Sequence, residues 1–248
     1  MIHIYYLQTS HNKQNPFRPE WFDYERCFKN LLDTKPQSSK ITVVFDGKIS
    51  EFNNHFTFKY LSSAKICANF YFKIIGDRDI KSPYTELIHV IKNDEQEIKN
   101  HDLIMIQEND YLFANNWGEY AEDLNNLLRG DHYISLYDHP DKYMFNIPDA
   151  PDPWNIYVNL TSKIITSNFC HWRTVPSTCG SFLLSKKLFL EDFDIHTNDK
   201  ADNSRFGFLT KNRNRAVLTP IPSLSTHCVN PYLAPFVDWK TINNNTKI

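Results

Sequence analysis

The sequence predicts an α/β fold with a mostly parallel central sheet, and three observations support it. Short apolar runs alternate with segments of helical periodicity, as in strand–helix–strand units. Each run is followed by polar or glycine-containing residues, which mark turns. The chain has 248 residues, 41% of them hydrophobic, and is therefore long enough for one large domain with a buried core.

The first half of the chain, residues 1–115, repeats strands and helices regularly. Apolar runs predict strands at residues 2–7, 41–45, 69–75 and 102–106. Apolar side chains recur at helical spacing in residues 19–32, and a second helix is predicted at residues 83–92. We place a boundary near residue 115, because the pattern becomes mixed after it.

The second half of the chain is less regular. A helix is predicted at residues 117–128, with Gly130 placed to terminate it. Further strands are predicted at residues 133–137, 156–160, 163–166, 180–184 and 216–218. The asparagine-rich tail, residues 243–248, is expected to be disordered.

Charge and cysteine content exclude several classes of protein. The chain carries 27 Lys and Arg against 29 Asp and Glu, without the basic excess that a duplex nucleic-acid-binding protein needs. Its 5 cysteines include no CxxC pair, which argues against a disulfide framework or a thiolate zinc site. No apolar run is long enough to span a bilayer, and no signal-peptide pattern opens the chain, so we expect a cytoplasmic protein.

Polar residues at strand ends are the first candidate site. Ligands bind at the carboxyl ends of parallel strands, a rule that gathers Thr9, Asp46, Gly76 and residues 108–110 at one edge of the sheet. Glu108 and Asp110 are spaced so that one strand end can direct both carboxylates at a single cation. Mg²⁺ and Mn²⁺ prefer such oxygen ligands. The alternative, an ordinary acidic turn, is the commoner outcome for this spacing alone.

Two further segments, residues 135–143 and 221–239, add candidate site residues to the acidic pair. With the acidic pair they make the chain resemble the glycosyltransferases of the GT-A fold, similar to compact enzymes of phages, other large viruses and some bacteria. The resemblance runs from Arg18 to Trp239. It implies one domain, a Rossmann-like α/β/α sandwich, in which residues 1–115 bind a nucleotide sugar and residues 116–242 bind the acceptor.

The resemblance also implies roles for individual residues. Residues 108–110 occupy the place of the family's DxD-type motif, although here the motif begins with Glu. Asp110 would ligate Mn²⁺ or Mg²⁺, Glu108 would help to hold the metal or the ribose, and His227 stands where the family has a C-terminal metal-binding histidine. Asp46 stands where an acid hydrogen-bonds the base. The implied donor-binding residues are Thr9, Asp46, Gly76, Glu108 and Asn109.

An inverting glycosyltransferase needs a carboxylate that takes the proton from the attacking hydroxyl. Asp202, at the start of a predicted helix, resembles the position of that base, and Asp199 is the reserve candidate. The alternative is that Asp202 caps the helix containing Phe206. The two interpretations carry equal weight.

Two loop segments are candidates for binding the acceptor. His139 and Asp141 lie in a proline-containing loop, for which the alternative is an Asp-rich turn. In the segment from residue 171 to 181, the ring of Trp172 offers a face for stacking on a sugar, with Ser177 and Thr178 close by in the chain. A buried Trp in the core is the more common outcome.

The sequence and its resemblance together predict a metal-dependent glycosyltransferase. It would move a hexose or pentose from a nucleotide-diphosphate sugar to a hydroxyl acceptor such as a glycan, with inversion favoured. One alternative is a non-catalytic module of the same fold that binds a nucleotide or a glycan. A nucleotidyltransferase ranks lower, because residues 9–13 lack the glycine-rich phosphate loop that such enzymes carry.

Overall fold

The computed structural model describes residues 1–10, 15–62, 70–74, 82–143, 161–198 and 201–248. The strands are β1 (Ile2–Thr9), β2 (Lys40–Asp46), β3 (Phe70–Ile74), β4 (Leu103–Gln107), β5 (Tyr111–Phe113), β6 (His132–Ile134), β7 (Ile164–Thr166), β8 (His171–Val175), β9 (Phe182–Ser185), β10 (Ala216–Ile221) and β11 (Ser225–His227). The helices are α1 (Tyr24–Thr34), α2 (Ile49–Asn54), α3 (Phe56–Ser62), α4 (Pro83–Asn93), α5 (Trp117–Leu128), α6 (Lys186–Glu191), α7 (Phe193–His196), α8 (Asp202–Asn212) and α9 (Trp239–Asn245).

A nine-stranded sheet forms the centre of the described structure, in the order β3-β2-β1-β4-β9-β6-β10-β8-β7. The strands β3, β2, β1 and β4 are parallel to one another, and β6 is parallel to β10. Only β9 and β8 run against the common direction among the described strands. The α/β class and the mostly parallel sheet are therefore confirmed.

Helices cover both faces of this sheet. Successive side chains of a strand point to opposite faces, so Ile4 of β1 packs with α1 and α5, whereas Tyr5 packs with α4 and α8. These two apolar layers make the interior of an α/β/α arrangement. The strands between them read as continuous apolar runs because both of their faces are buried.

The strand register brings polar residues to one edge of the sheet. Thr9, the last residue of β1, is aligned with Asp46, the last residue of β2. On the other side of β1, Tyr6 is aligned with Gln107, the last residue of β4. The segment that follows Gln107 therefore emerges at the same edge as Thr9 and Asp46, as the rule for parallel strands predicts.

A second, two-stranded sheet joins the C-terminal part of the chain to this edge. β11 pairs antiparallel with β5, and His227 is aligned with Tyr111. The backbone N–H of Cys228 donates to the carbonyl oxygen of Asp110 at 2.9 Å. Pairing of these short strands thus places His227 beside an acidic residue that lies 117 positions earlier in the chain.

The chain end differs from its prediction. Instead of a disordered tail from residue 243, α9 continues to Asn245, and the side chain of Asn243 is buried. Asp238 caps the helix by accepting from the N–H of Thr241, and Arg26 donates to the carbonyl oxygens of Asn243 and Thr246. These contacts with α1 hold a segment whose composition alone suggests disorder.

Other predictions agree with the structure or lie outside it. The helix α5 ends at Leu128, and Gly130 follows with a positive φ of 77°, as expected for a terminating glycine. The strand predicted at residues 156–160 lies outside the described residues. Within the described ranges, none of the helices has both the length and the apolar character needed to cross a membrane.

Candidate functional site

A cleft of about 680 Å³ opens at the carboxyl ends of β1, β2 and β4, and we call it the strand-end cleft. Seven residues predicted to bind the donor, hold the metal or act as base line it: Thr9, Asp46, Glu108, Asn109, Asp110, Asp202 and His227. The prediction did not include its other lining residues, Leu7, Asn15, Arg18, Tyr24, Pro83 and Cys179. The predicted residues Gly76 and Asp199 lie outside the described part of the chain.

Asp110 is the most heavily contacted carboxylate in the cleft. Its Oδ2 accepts a hydrogen bond from Nη2 of Arg18 at 2.5 Å and lies 3.0 Å from Nε2 of His227. Burial opposes ionisation, but the charges and hydrogen bonds of His227 and Arg18 outweigh it and hold the pKa of Asp110 well below its usual range. Asp110 is therefore an anion at neutral pH, and its buried Oδ1 has no hydrogen-bond partner among the described residues.

The pKa of Glu108 is shifted in the opposite direction from that of Asp110. Burial of its carboxyl group, together with the negative charges of Asp110 and Asp202, raises the pKa of Glu108 to about 8. Its ionised form would add a negative charge beside Asp110 and Asp202, whose own charges already need compensation from Arg18, His227 and Arg205. A cation bound here would supply that compensation and allow Glu108 to ionise at neutral pH.

His227 is fixed by an aromatic neighbour as well as by strand pairing. Its ring stacks on Tyr111, with centroids 5.1 Å apart and planes inclined by 11°. Burial lowers the pKa of His227, but the charge of Asp110 and its hydrogen bond outweigh burial, so the pKa is raised overall. The ring is thereby held with Nε2 directed at the Asp110 carboxylate.

Arg18 is the functional candidate that the sequence did not reveal. Besides its bond to Asp110, its Nη1 donates to the carbonyl oxygen of Cys228 at 2.8 Å. The guanidinium lies over the rings of Phe22 and Tyr24, at 4.5 Å and 5.8 Å from their centroids. Arg18 lies in an irregular segment before α1, so no periodic pattern marks it. The available signal was an arginine with aromatic residues four and six positions later, shortly after a strand end.

The β1–β2 side of the cleft presents a second polar group. Thr9 Oγ1 donates to Oδ2 of Asp46 at 3.4 Å, and the backbone N–H of Ser10 donates to the carbonyl oxygen of Asp46 at 3.0 Å. These bonds orient the Asp46 side chain at the end of its strand. Its oxygens can accept hydrogen bonds from a ligand in the cleft.

Asp202 does not cap α8. The helix begins at Asp202 itself, the capping position is Ala201, and no side-chain capping bond is present there. Instead, Asp202 Oδ1 accepts from Nη1 of Arg205 at 2.6 Å, and the Arg205 guanidinium lies 3.9 Å from the ring centroid of Tyr84. Burial raises the pKa of Asp202 and Arg205 opposes that shift. The capping alternative is therefore wrong, and a carboxylate of increased basicity faces the cleft.

The predicted acceptor residues do not line the strand-end cleft. Trp172 has an exposed fraction of 0% and packs in the core, where its indole N–H donates to Ser167 Oγ at 3.1 Å. β8 lies between β10 and β7, so this ring points into the apolar layer. Stacking of Trp172 on a sugar is therefore wrong, and the core alternative is confirmed.

The remaining acceptor candidates form local contacts. Ser177 and Thr178 are both buried, and Thr178 Oγ1 lies 2.7 Å from Ser135 Oγ. His139 Nδ1 lies 2.9 Å from Asp141 Oδ1. Asp141 lies in a 3₁₀ turn at Pro140–Lys142, and His139 directly precedes that turn. Contact with an acceptor stays a prediction for these four residues.

The cleft fits a divalent cation in donor chemistry but not in its present contacts. The carboxylates of Glu108 and Asp110 and the imidazole of His227 are ligands that Mn²⁺ accepts, and Asp110 Oδ1 is an unpartnered buried oxygen. Across the described ranges, however, no three His, Cys, Asp or Glu side chains are grouped closely enough to hold a metal ion. Arg18 donates to Oδ2 of Asp110, so a cation that used this oxygen would have to displace the guanidinium.

Comparison with solved structures finds distant likenesses, of which a mouse glycosyltransferase is one example. The chain resembles the crystal structure of mouse xyloside xylosyltransferase 1 in its apo form, with a TM-score of 0.38 and 11% sequence identity. The alignment covers 92% of this chain and 78% of that chain. A likeness this weak carries no argument about activity. No protein family and no curated protein matches the chain.

Proposed function

We propose that this protein is a metal-dependent glycosyltransferase of the GT-A type. It would move a sugar from a nucleotide-diphosphate sugar to a hydroxyl acceptor. The observation that carries the proposal is the convergence of Asp46, the acidic pair at 108 and 110, Asp202 and His227 in one cleft at the carboxyl ends of parallel strands. These residues are far apart in the sequence, and the fold brings them together.

The two sides of the cleft suit the two parts of such a donor. Thr9 and Asp46 present hydrogen-bonding oxygens for a base or a ribose. Asp110 and His227, on the β4 side, suit the diphosphate with its cation. The cleft, at about 680 Å³, falls within the roughly 300–1,000 Å³ usual for small-molecule sites.

Departure of the diphosphate is the electrostatic problem of the reaction. Asp110, Glu108 and His227 would hold Mn²⁺ or Mg²⁺, which offsets the charge that develops on the leaving group. The chain itself places Arg18 in the same region, and a guanidinium binds phosphate oxygens through two parallel hydrogen bonds. Both contributions stabilise the leaving group.

Asp202 supplies the base of the proposed mechanism. It lines the cleft, and its raised pKa makes it a stronger base than an exposed aspartate. It would accept the proton of the acceptor hydroxyl as that oxygen attacks the anomeric carbon and the diphosphate leaves. A single displacement of this kind inverts the configuration at that carbon. Arg205 keeps the carboxylate oriented through the bond at Oδ1.

The test is consumption of donor. Nucleotide sugars with different bases would be incubated with the protein, Mn²⁺ and a panel of saccharide acceptors that carry free hydroxyl groups, and release of the nucleoside diphosphate measured for wild type, Asp202→Asn and Asp131→Asn. Asp131 is a matched control, because its side chain is 59% exposed and pairs with Lys187 on the surface. We expect Mn²⁺-dependent release that is lost in Asp202→Asn and kept in Asp131→Asn. Binding without release would identify a non-catalytic module, and full turnover by Asp202→Asn would remove the assigned base.

A further inference from the structure

We propose that Arg18 occupies the cation position beside Asp110 in the free protein and moves to the diphosphate when a nucleotide binds. Metal and nucleotide would then bind cooperatively, each favouring the other. This inference rests on the proposed function, since it assigns a residue to the diphosphate of the donor. It goes beyond that function by making Arg18 the element that couples the two ligands.

The first support is the position of Arg18 beside Asp110. Its side chain is 17% exposed and that of Asp110 is 12% exposed, and the two are joined by a bond of 2.5 Å. A divalent ion on Oδ2 of Asp110 would need the position that Nη2 of Arg18 now fills. It would also lie beside a positive guanidinium. A metal ion that binds Oδ2 without a nucleotide must therefore displace Arg18 at a cost.

The second support is a pair of unsatisfied atoms. Nε of Arg18 and Oδ1 of Asp110 are both buried without a hydrogen-bond partner among the described residues, and both residues line the strand-end cleft. Buried polar groups in folded proteins are rarely left unpaired. A diphosphate oxygen would satisfy the first atom. A cation that takes the place of Arg18 beside the Asp110 carboxylate would have the second within reach as well, so a nucleotide with its metal completes what the free cleft lacks.

The third support is how Arg18 is held. The Phe22 and Tyr24 rings and the Cys228 carbonyl contact the guanidinium from outside the Asp110 pair. These contacts can keep Arg18 in the cleft while its bond to Asp110 is exchanged for one to phosphate. Arginine suits this exchange, because its planar group binds carboxylate and phosphate with the same geometry.

The consequence is a reciprocal coupling. A nucleoside diphosphate draws Arg18 away from Asp110 and so raises the affinity for Mn²⁺. By linkage, Mn²⁺ raises the affinity for the nucleoside diphosphate by the same factor, and a factor of about ten or more is typical of such coupling. Without nucleotide, Arg18 keeps metal affinity low.

The experiment is calorimetric titration of Mn²⁺, alone and with saturating ADP, CDP, GDP or UDP. Wild type would be compared with Arg18→Gln, Arg18→Lys and Arg213→Gln. The last is a control, because Arg213 is exposed and pairs with Asp194 away from the cleft. We expect one nucleoside diphosphate to lower the Mn²⁺ dissociation constant of wild type and of Arg213→Gln about tenfold or more. Arg18→Gln should bind Mn²⁺ alone about tenfold more tightly than wild type and lose most of the coupling.

Several outcomes would overturn the inference without touching the proposed function. One is an unchanged Mn²⁺ affinity in Arg18→Gln, and another is a wild type whose Mn²⁺ affinity is the same with and without a bound nucleotide. If thermal unfolding shows that Arg18→Gln does not fold, Arg18→Lys decides. A lysine can pair with Asp110 but cannot also reach the Cys228 carbonyl with a second nitrogen, so we expect an intermediate Mn²⁺ affinity, and equality with wild type would contradict us. Failure of every nucleoside diphosphate to bind wild type would instead count against the proposed function.

Discussion

Gly180 leaves the space that the Glu108 carboxylate occupies. A β-carbon built at residue 180 would lie 2.3 Å from Oε1 of Glu108 and 2.5 Å from its Cδ. The neighbouring Ser181 accepts a hydrogen bond from the backbone N–H of Glu108 through its Oγ at 3.2 Å. The position of the first acidic residue of the cleft therefore depends on the absence of a side chain in the segment that leads into the neighbouring strand β9.

Replacement of this glycine gives the first prediction. Gly180→Ala should displace the Glu108 carboxylate and weaken Mn²⁺ binding in the presence of a nucleoside diphosphate about tenfold, as changes around metal ligands commonly do. Calorimetry measures that loss. Gly207→Ala is the matched control, because nothing lies within 4 Å of its added carbon. It should leave binding unchanged and stabilise α8 by about 0.5–1 kcal/mol. Unaltered binding by Gly180→Ala would show that Glu108 takes no part.

The pair formed by Arg205 and Asp202 gives a second prediction, about pH. Arg205 opposes the effect of burial and so lowers the pKa of Asp202. Replacement by Gln removes that charge, and the pKa of Asp202 rises further. Because the base must be ionised to accept a proton, the acidic limb of the pH–rate profile should move to higher pH.

The pH–rate profile also distinguishes an effect of Arg205 on the pKa of Asp202 from a purely structural effect of Arg205. A general loss of folding in Arg205→Gln would lower the rate at all pH values without shifting the limb. Arg205→Lys keeps the charge and should restore the wild-type limb, at least in part. If the pH–rate profile of Arg205→Gln differs from that of wild type only by a constant factor in rate, Arg205 does not set the pKa of the base, and the role assigned to this pair is contradicted.

A third prediction concerns His132 of β6. Its side chain is buried, and neither ring nitrogen has a hydrogen-bond partner in the described ranges. Burial lowers the pKa of His132 to about 4. In the unfolded chain a histidine takes up its proton near pH 6.5. Between these values only the unfolded state is protonated, so the free energy of unfolding falls as the pH falls from 6.5 to 4, by roughly 3 kcal/mol from this group.

His132→Leu removes both the proton-binding site and the unpaired nitrogens. We expect it to stabilise the protein at pH 7 by about 1 kcal/mol, and to flatten the loss of stability between pH 6.5 and 4. Urea unfolding at several pH values measures both effects. The exposed His171, replaced in the same way, is the control for the substitution of a histidine by leucine. A steeper loss of stability in His132→Leu would contradict this account.

A fourth prediction concerns the chain end. The side-chain N–H of Asn243 donates to the carbonyl oxygen of Trp21 at 2.9 Å, whereas Asn244 is exposed. Asn243→Ala should therefore lower the free energy of unfolding by about 1 kcal/mol, the net value of one such bond. Asn244→Ala should have little effect. Equal effects of the two changes would indicate that α9 is not docked on the segment before α1 that contains Trp21.

Local patterns in the sequence were sufficient for the strand-end residues. Thr9, Asp46 and Asp110 each follow a continuous apolar run, and the geometry of parallel strands places such positions together. His227 required the family resemblance, because no local pattern distinguishes one histidine from the others. The placement of these side chains in one cleft follows from strand ends and strand pairing, whereas their roles in binding stay predictions.

Residues whose roles depend on contacts far along the chain are not marked by a periodic sequence pattern. Arg18 reaches Asp110 across 92 positions and Cys228 across 210. For Trp172 the sequence favours a buried core position but leaves stacking on a sugar open, because it does not show which elements cover the ring. The asparagine-rich composition of residues 243–248 predicts disorder. Composition does not show that Arg26 donates hydrogen bonds to the carbonyl oxygens of Asn243 and Thr246.

The central claim is that a nucleotide-diphosphate sugar binds in the strand-end cleft through a cation held at Asp110. The most direct measurement is calorimetric titration of the nucleoside diphosphate, with and without Mn²⁺, into wild type, Asp110→Asn and the surface control Asp131→Asn. We predict Mn²⁺-dependent binding by wild type and Asp131→Asn that is lost in Asp110→Asn. Retained Mn²⁺-dependent binding in Asp110→Asn, or none in wild type, would contradict the account.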